Sequence, residues 1–407
     1  MQHHILPENL WLRVFIGMVV GIAIALYVDI PQTIMPWIEL PGSLFLGLLH
    51  IIIVPLVLSS VILGVASAGS LDSLQKMGGR LIPYFIVTTA ISITIGIVIT
   101  SNVQPGLAIE QAASAPADAI SQTLDDLTIP DRIMNILPMN ITEAQLEKNM
   151  LQLVILGILI GIALLTIRTK ASKTVHELCE FTQDACMMVV GWAMWIAPLA
   201  VASLMITAVI SMGGDALAGI GYYMACVIGG LLCMGLVYLI IVTVVARLNP
   251  IQFLADIRSA QLVAFSTSSS SATMPVSLSV AEERLKVKDD VRGFTIPLGA
   301  TINMDGTALY QATAAIFLCQ VFGIDLTIGQ TLLLILTTIG ASIGTPAMPG
   351  VGLIVLATIL TGLGVPPEGV GIILGVDRLL DMCRTTLNVT GDLTATAVMQ
   401  RWMHGKT

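Results

Sequence analysis

Apolar residues in this chain run in long blocks instead of alternating with polar ones. The blocks cover residues 10–28, 44–66, 81–99, 151–167, 187–210 and 220–245. Each is near or above the roughly 20 residues that cross about 30 Å of hydrocarbon as an α-helix. Six spanning helices are therefore predicted for the first part of the chain. The head MQHHILPEN before the first block has no small-residue cleavage site, so that block reads as a retained helix and not as a signal peptide.

After Arg247 the pattern changes. Four polar or backbone-bending segments interrupt the apolar runs: STSSSSATMP at 266–275, TINMDGT at 301–307, SIGTPAMPG at 342–350 and TLNVTGD at 386–392. Open backbone in lipid costs several kcal/mol per unsatisfied group, so such breaks persist only where they are buried in protein or line a polar cavity. Each is a candidate site wall. They also fall into two pairs. SATMP at 271–275 is echoed by TPAMP at 345–349, and TINMDG at 301–306 by TLNVTG at 386–391, about 75 to 85 positions on. A broken hairpin followed by a broken helix, twice over, is the mark of an inverted-topology repeat whose halves meet at a midplane binding site.

Composition agrees with a bilayer. Of 407 residues, 56% are hydrophobic and 11% are charged, against about 25% charged in ordinary soluble domains. The net charge of −8 does not point to a nucleic-acid or other cationic partner, because much of the acid sits in one water-facing stretch between Gln104 and Met150. With the N-terminus placed inside, most of the 18 Lys and Arg fall on the inner side, and only Arg132 and Lys148 fall outside. That predicts a multi-pass protein of the cell (inner) membrane with both termini cytoplasmic. The six cysteines form no CxxC pair and read as buried thiols.

The last apolar segment carries Asp377, Asp381, Arg384, Thr385, Asn388 and Asp392 at offsets 0, 4, 7, 8, 11 and 15, all on one helical face. A charge at the bilayer centre costs at least about 2.5 to 3.5 kcal/mol, so this many together must face a wet or ion-filled interior. Asp377 and Arg378 fit structural pairing equally well. Asp381 and Arg384 offer an anion and a cation receptor one turn apart. Arg holds a carboxylate bidentately and a carboxylate holds an ammonium group, while N–H groups at the hairpin tips suit a second carboxylate. Two carboxylates and one amine describe glutamate or aspartate. Asp305 and Asp392, with the oxygens of Asn303 and Asn388, make a hard-oxygen environment suited to an alkali cation, with proton coupling left open.

At these residues the chain resembles the dicarboxylate/amino acid:cation symporter family, which includes the excitatory amino acid transporters. The resemblance spans essentially the whole length and rests on the serine-rich 266–275 segment, NMDGT at 303–307, GTPAMPG at 344–350 and DMCRTTLNVTGD at 381–392. It implies an all-α polytopic membrane protein with eight transmembrane helices and two re-entrant hairpins. Residues 1–250 would hold the trimerisation scaffold, with the third and sixth helices joining the transport part. Residues 251–407 would form the transport core, with two hairpins and two broken helices. The implied assembly is a homotrimer working as an elevator, carrying an amino acid substrate with co-transported sodium ions.

By position, the family's substrate site falls on Asp381 for the amine and Arg384 for the side-chain carboxylate, with Thr307, Thr385, Asn388, Ser270 and Gly352 around them. One sodium site falls on Gly299, Asn303, Asn388 and Asp392, and a second on Thr301, Ser342, Ile343 and Thr345. A third falls on Phe85, Thr88, Thr89, Asn303 and Asp305. The chain departs from the family in one respect. A second arginine, usual in its acidic amino acid carriers, is replaced by Ser268 and Met382 at the two places where it occurs.

Competing classes are weaker. A GxGD intramembrane protease needs Gly where Val389 stands, and the histidines lie far along the chain from the serine run. A channel is permitted by broken helices alone. Within the family, a C4-dicarboxylate carrier has no use for an amine-binding Asp381, and a neutral amino acid exchanger typically lacks an arginine at the Arg384 position.

Overall fold

The computed structural model describes residues 10–66, 77–109, 142, 150–167, 169–212, 215–344, 350–365 and 369–405. All regular structure among them is helical. The six apolar blocks lie on α1 (Leu10–Tyr27), α2 (Met35–Ala66), α3 (Gly79–Val103), α4 (Met150–Thr166), α5 (Lys170–Met212) and α6 (Asp215–Ile241). A π-helical turn, Val242–Ala246, extends α6. α5 begins well before its apolar block because its first turns are amphipathic, with Lys173 against Glu177 at 3.8 Å and His176 against Glu180 at 3.7 Å on an exposed face.

The second part holds α7 (Pro250–Thr267), α8 (Ser270–Glu283), α9 (Asp289–Ile302), α10 (Asp305–Val321), α11 (Ile328–Gly344), α12 (Val351–Gly362) and α13 (Val370–His404). α7 starts with Asn249 accepting from the Ile251 and Gln252 amides, followed by Pro at the first helical position. It stops at Ser268, whose φ of 52° is left-handed, and α8 restarts at once with Ser269 Oγ accepting from the Ala272 amide at 3.1 Å. Two residues thus reverse the chain, and α7 and α8 pack side by side as a hairpin.

Of the two expected helix breaks, one is present. Asn303 and Met304 leave helical geometry and separate α9 from α10. The 386–392 segment, by contrast, is unbroken helix within α13. Its threonines, and those just beyond it, are satisfied from within. Thr386, Thr390, Thr394 and Thr396 each donate to the carbonyl four residues back, at 2.7 to 2.9 Å. Threonine can do this without opening the backbone, so polarity there does not signal a break.

α1 and α2 pack on α5, α4 packs on α2, and α3 lies along α10 and α6. α6, α7, α9 and α10 all pack on α13. The apolar residues of α13 divide between two buried clusters. Val370 to Leu387 join one with α1, α2, α5 and α12, and Val389 to Met399 join the other with α7, α8 and α9. The polar face of α13 lies where these two cores meet.

The outward faces are apolar. On α6, Ile228, Leu232, Leu236, Ile240 and Val244 repeat every four residues and are exposed. Three described helical stretches, Gly79–Ala108, Lys170–Thr207 and Ala218–Ala246, are long and apolar enough to cross a membrane. α10 is the opposite case, buried along its whole length. The six cysteines are unpaired, and Cys233 is exposed, not buried as expected, because it shares the outward side of α6.

A candidate substrate and ion site along α13

All six residues of the polar face of α13 are buried. Arg384 is the largest fully buried side chain, 1% exposed. A buried charge is strongly unfavourable unless paired and hydrogen-bonded. Its Nε donates to Asp381 Oδ1 at 2.9 Å, and its Nη1 lies 3.3 Å from Asp377 Oδ1. Its Cζ sits 4.3 Å from the centroid of the Tyr310 ring, a cation–π contact. Asp381 Oδ2 accepts from the Gly350 amide at 2.9 Å and faces Arg378 Nη1 at 3.6 Å.

The start of α12 presses on the same guanidinium. A Cβ at Gly352 would come within 2.8 Å of Arg384 Nη2, so only glycine lets this backbone approach so closely. Gln311 Nε2 holds the Gly352 carbonyl at 3.1 Å. The tip between α11 and α12 thereby touches both charged groups of α13, Asp381 through Gly350 and Arg384 through Gly352.

One turn further on, Asn388 reaches the first turn of α10. Its Oδ1 accepts from the Gly306 amide at 2.7 Å, and its Nδ2 donates to Thr307 Oγ1 at 3.1 Å and approaches Met304 Sδ at 3.3 Å. Thr307 and Thr385 are both buried beside it. Ser270 is buried at the start of α8.

Two acid-centred clusters follow. In the first, Asn303 Nδ2 donates to Asp392 Oδ1 at 2.9 Å and lies 3.4 Å from the Asn388 carbonyl, and the Gly299 backbone abuts the same carboxylate. Gly299, Asn303, Asn388 and Asp392 are thus brought together. In the second, Asp305 sits in the first turn of α10, where the helix dipole favours an anion. Thr89 donates to Asp305 Oδ1 and Tyr238 to Oδ2, both at 2.6 Å, while Ser92 donates to the Asp305 carbonyl at 2.8 Å. Thr88 Oγ1 donates to the Phe85 carbonyl at 3.1 Å in the same wall of α3.

The remaining set is only partly placed. Thr301 donates to the Pro297 carbonyl at 2.9 Å and its methyl faces Gly64 of α2. Ser342 is fully buried on α11, which packs against α9. Ile343 is helical with its side chain outside the description, and Thr345 lies outside the described residues, as does the rest of the 345–349 tip.

The donor set tests the ion expectation. Asn303 Oδ1 and Ser342 Oγ are buried oxygens without a hydrogen-bond partner among the described residues. Among the described residues no three His, Cys, Asp or Glu side chains gather in one place. Amide, hydroxyl and carbonyl oxygens around single carboxylates suit an alkali cation, not a transition metal.

Sequence reasoning missed Tyr238, Tyr310, Ser92, Met304 and Gln311. The available signal was the two tyrosines: a phenol hydroxyl in an apolar run usually has a partner waiting inside.

Residues 10–402 match the model of the sodium:dicarboxylate symporter family. The chain is 33% identical over 396 residues to a proton/sodium-glutamate symport protein of Bacillus subtilis (strain 168), covering 96% of this chain and 92% of the relative. It is 30% identical over 456 residues to excitatory amino acid transporter 3 of Mus musculus, covering 98% and 86%. A proton/glutamate-aspartate symporter of Escherichia coli (strain K12) is 30% identical over 404 residues, covering 96% and 92%.

Proposed function

The chain belongs to the sodium:dicarboxylate symporter family, and from that premise we propose that it imports glutamate or aspartate together with sodium ions. The observation that carries this reading is the buried pair of Asp381 and Arg384, one turn apart and both in reach of a hairpin tip. The substrate ammonium group takes the place of Arg384 against Asp381. Its side-chain carboxylate takes the planar fork of Arg384. Its α-carboxylate takes amide N–H groups where α8 and α12 begin, near Ser270 and Gly352. Thr307, Thr385 and Asn388 close the pocket around it.

The driving ions occupy the oxygen clusters. Asp392 with Gly299, Asn303 and Asn388 holds one sodium ion. Asp305 with Thr88, Thr89, Asn303 and the Phe85 carbonyl holds another. Thr301, Ser342, Ile343 and Thr345 hold a third. Asn388 belongs to the substrate pocket and to an ion cluster, which ties occupancy of one to the other.

Transport is by an elevator in a homotrimer. In support, α1, α2, α4 and α5 pack as one group, and α3, α6 and α7 to α13 pack largely as another. Residues 1–250 supply the first group and residues 251–407 most of the second, with α7–α8 and α11–α12 as re-entrant hairpins of an inverted repeat and both termini cytoplasmic. No chemistry on the substrate is needed, so the protein is a carrier and not an enzyme.

Proton coupling is the second reading, favoured by relatives named as proton symporters and by the two buried carboxylates Asp305 and Asp392. One experiment tests both. Counterflow into proteoliposomes is measured with a panel of labelled amino acids and C4-dicarboxylates, in sodium and then in choline. Saturable uptake of glutamate or aspartate that requires sodium is expected. Undiminished uptake in choline, driven by a pH gradient, selects the proton reading. Preference for succinate or for neutral amino acids overturns the substrate assignment.

A further inference from the structure

Arg378 is the one charged residue of the cluster with no role so far. Its Nη1 lies 3.6 Å from Asp381 Oδ2, its side chain is 19% exposed, and its Nε is buried without a hydrogen-bond partner among the described residues. Asp381 does not need it for pairing. Both of its oxygens have closer partners, Arg384 Nε and the Gly350 amide, each at 2.9 Å. Asp377 is likewise paired, with Arg384. Arg384 thus pairs with both acids, and Arg378 adds a second, more distant positive charge beside Asp381.

We propose that Arg378 is a specificity-determining residue that favours acidic substrates by its charge, acting across Asp381. This rests on the substrate site proposed above. Glutamate and aspartate carry a net −1 charge into a buried pocket. When their carboxylate takes Arg384, Asp377 and Asp381 lose part of their counterion. The fixed positive charge of Arg378, just beyond Asp381, then offsets the charge the ligand brings. An amino acid without net charge gains nothing from it. Across several ångströms of partly screened interior, a lost unit charge is expected to weaken acidic substrates by about tenfold to a hundredfold.

The test compares full-length wild type with Arg378→Lys, Arg378→Met and Arg378→Glu in proteoliposomes, measuring KM and maximal rate for glutamate and aspartate. Melting temperature with and without sodium reports the fold and ion sites. The expected order of KM is wild type, then Lys close behind, then Met, then Glu, with the sodium-induced rise in melting temperature alike in all four. A purely structural role would lower the melting temperature and would not follow charge. Met indistinguishable from wild type, or Lys as poor as Met, would overturn the inference. A wild type that transports neither acidic amino acid would instead overturn the substrate site on which it rests.

Discussion

The hydroxyl of Tyr238 on α6 meets Asp305 on α10, 2.6 Å from Oδ2, while Thr89 of α3 takes the other oxygen at the same distance. Three helices therefore converge on one carboxylate that is 0% exposed. Tyr238→Phe removes a donor to a buried charge and keeps the packing. A hydrogen bond to a charged group contributes about 1.5 to 3 kcal/mol. The sodium concentration for half-maximal uptake should rise by about tenfold or more, with substrate KM at saturating sodium little changed. Sodium titrations of uptake measure this, and an unshifted curve counts against an ion role for Asp305.

Arg384→Cys should abolish glutamate and aspartate uptake and allow uptake of small neutral amino acids such as serine. It also leaves Asp377 and Asp381 without their shared cation, at a cost of about 3 to 5 kcal/mol for a broken buried pair. A lowered melting temperature should accompany the switch. Glutamate uptake that survives unchanged would remove Arg384 from the pocket.

Asn388→Ala should impair ion and substrate binding together. It orphans the Gly306 amide, which Asn388 holds at 2.7 Å, and takes from the Thr307 hydroxyl the donor it accepts from. Each buried group left unsatisfied costs about 1 to 3 kcal/mol. Rising KM values for both sodium and glutamate are expected in one variant, and a change in only one of them would argue against Asn388 as the link.

Gly391→Ala places a methyl group against the Tyr238 hydroxyl and the Asn303 amide. Neither can withdraw without losing its own acid, Asp305 or Asp392. Overpacking of this kind costs about 1 to 3 kcal/mol. The sodium-induced rise in melting temperature should shrink, and a full response would mean the two clusters tolerate displacement.

Much of this site is legible in the sequence because helical spacing and burial act locally. The offsets from Asp377 to Asp392 put six polar residues on one face, and all six are buried. The serine run at 266–275 likewise marks the α7–α8 turn, since Ser268 and Ser269 are the stop and the cap. Contacts between distant segments are less visible. Tyr238 and Tyr310 sit in apolar runs and count there as hydrophobic, although each tip or face serves a charge on another helix. The supposed break at 386–392 failed for a related reason, because hydropathy cannot tell threonines bonded to their own helix from threonines that open it.

The unbroken course of α13 has a mechanical consequence. Asp392 lies eleven helical steps beyond Asp381, about 16 Å at the usual rise. A rigid ruler of that kind keeps the two acids at one spacing throughout a transport cycle. Any message between ion and substrate then travels sideways, through Asn388 into the joint at Asn303 and Met304, where α9 gives way to α10. On the proposed assignment of ion and substrate sites, the stiffness of that joint sets the tightness of coupling.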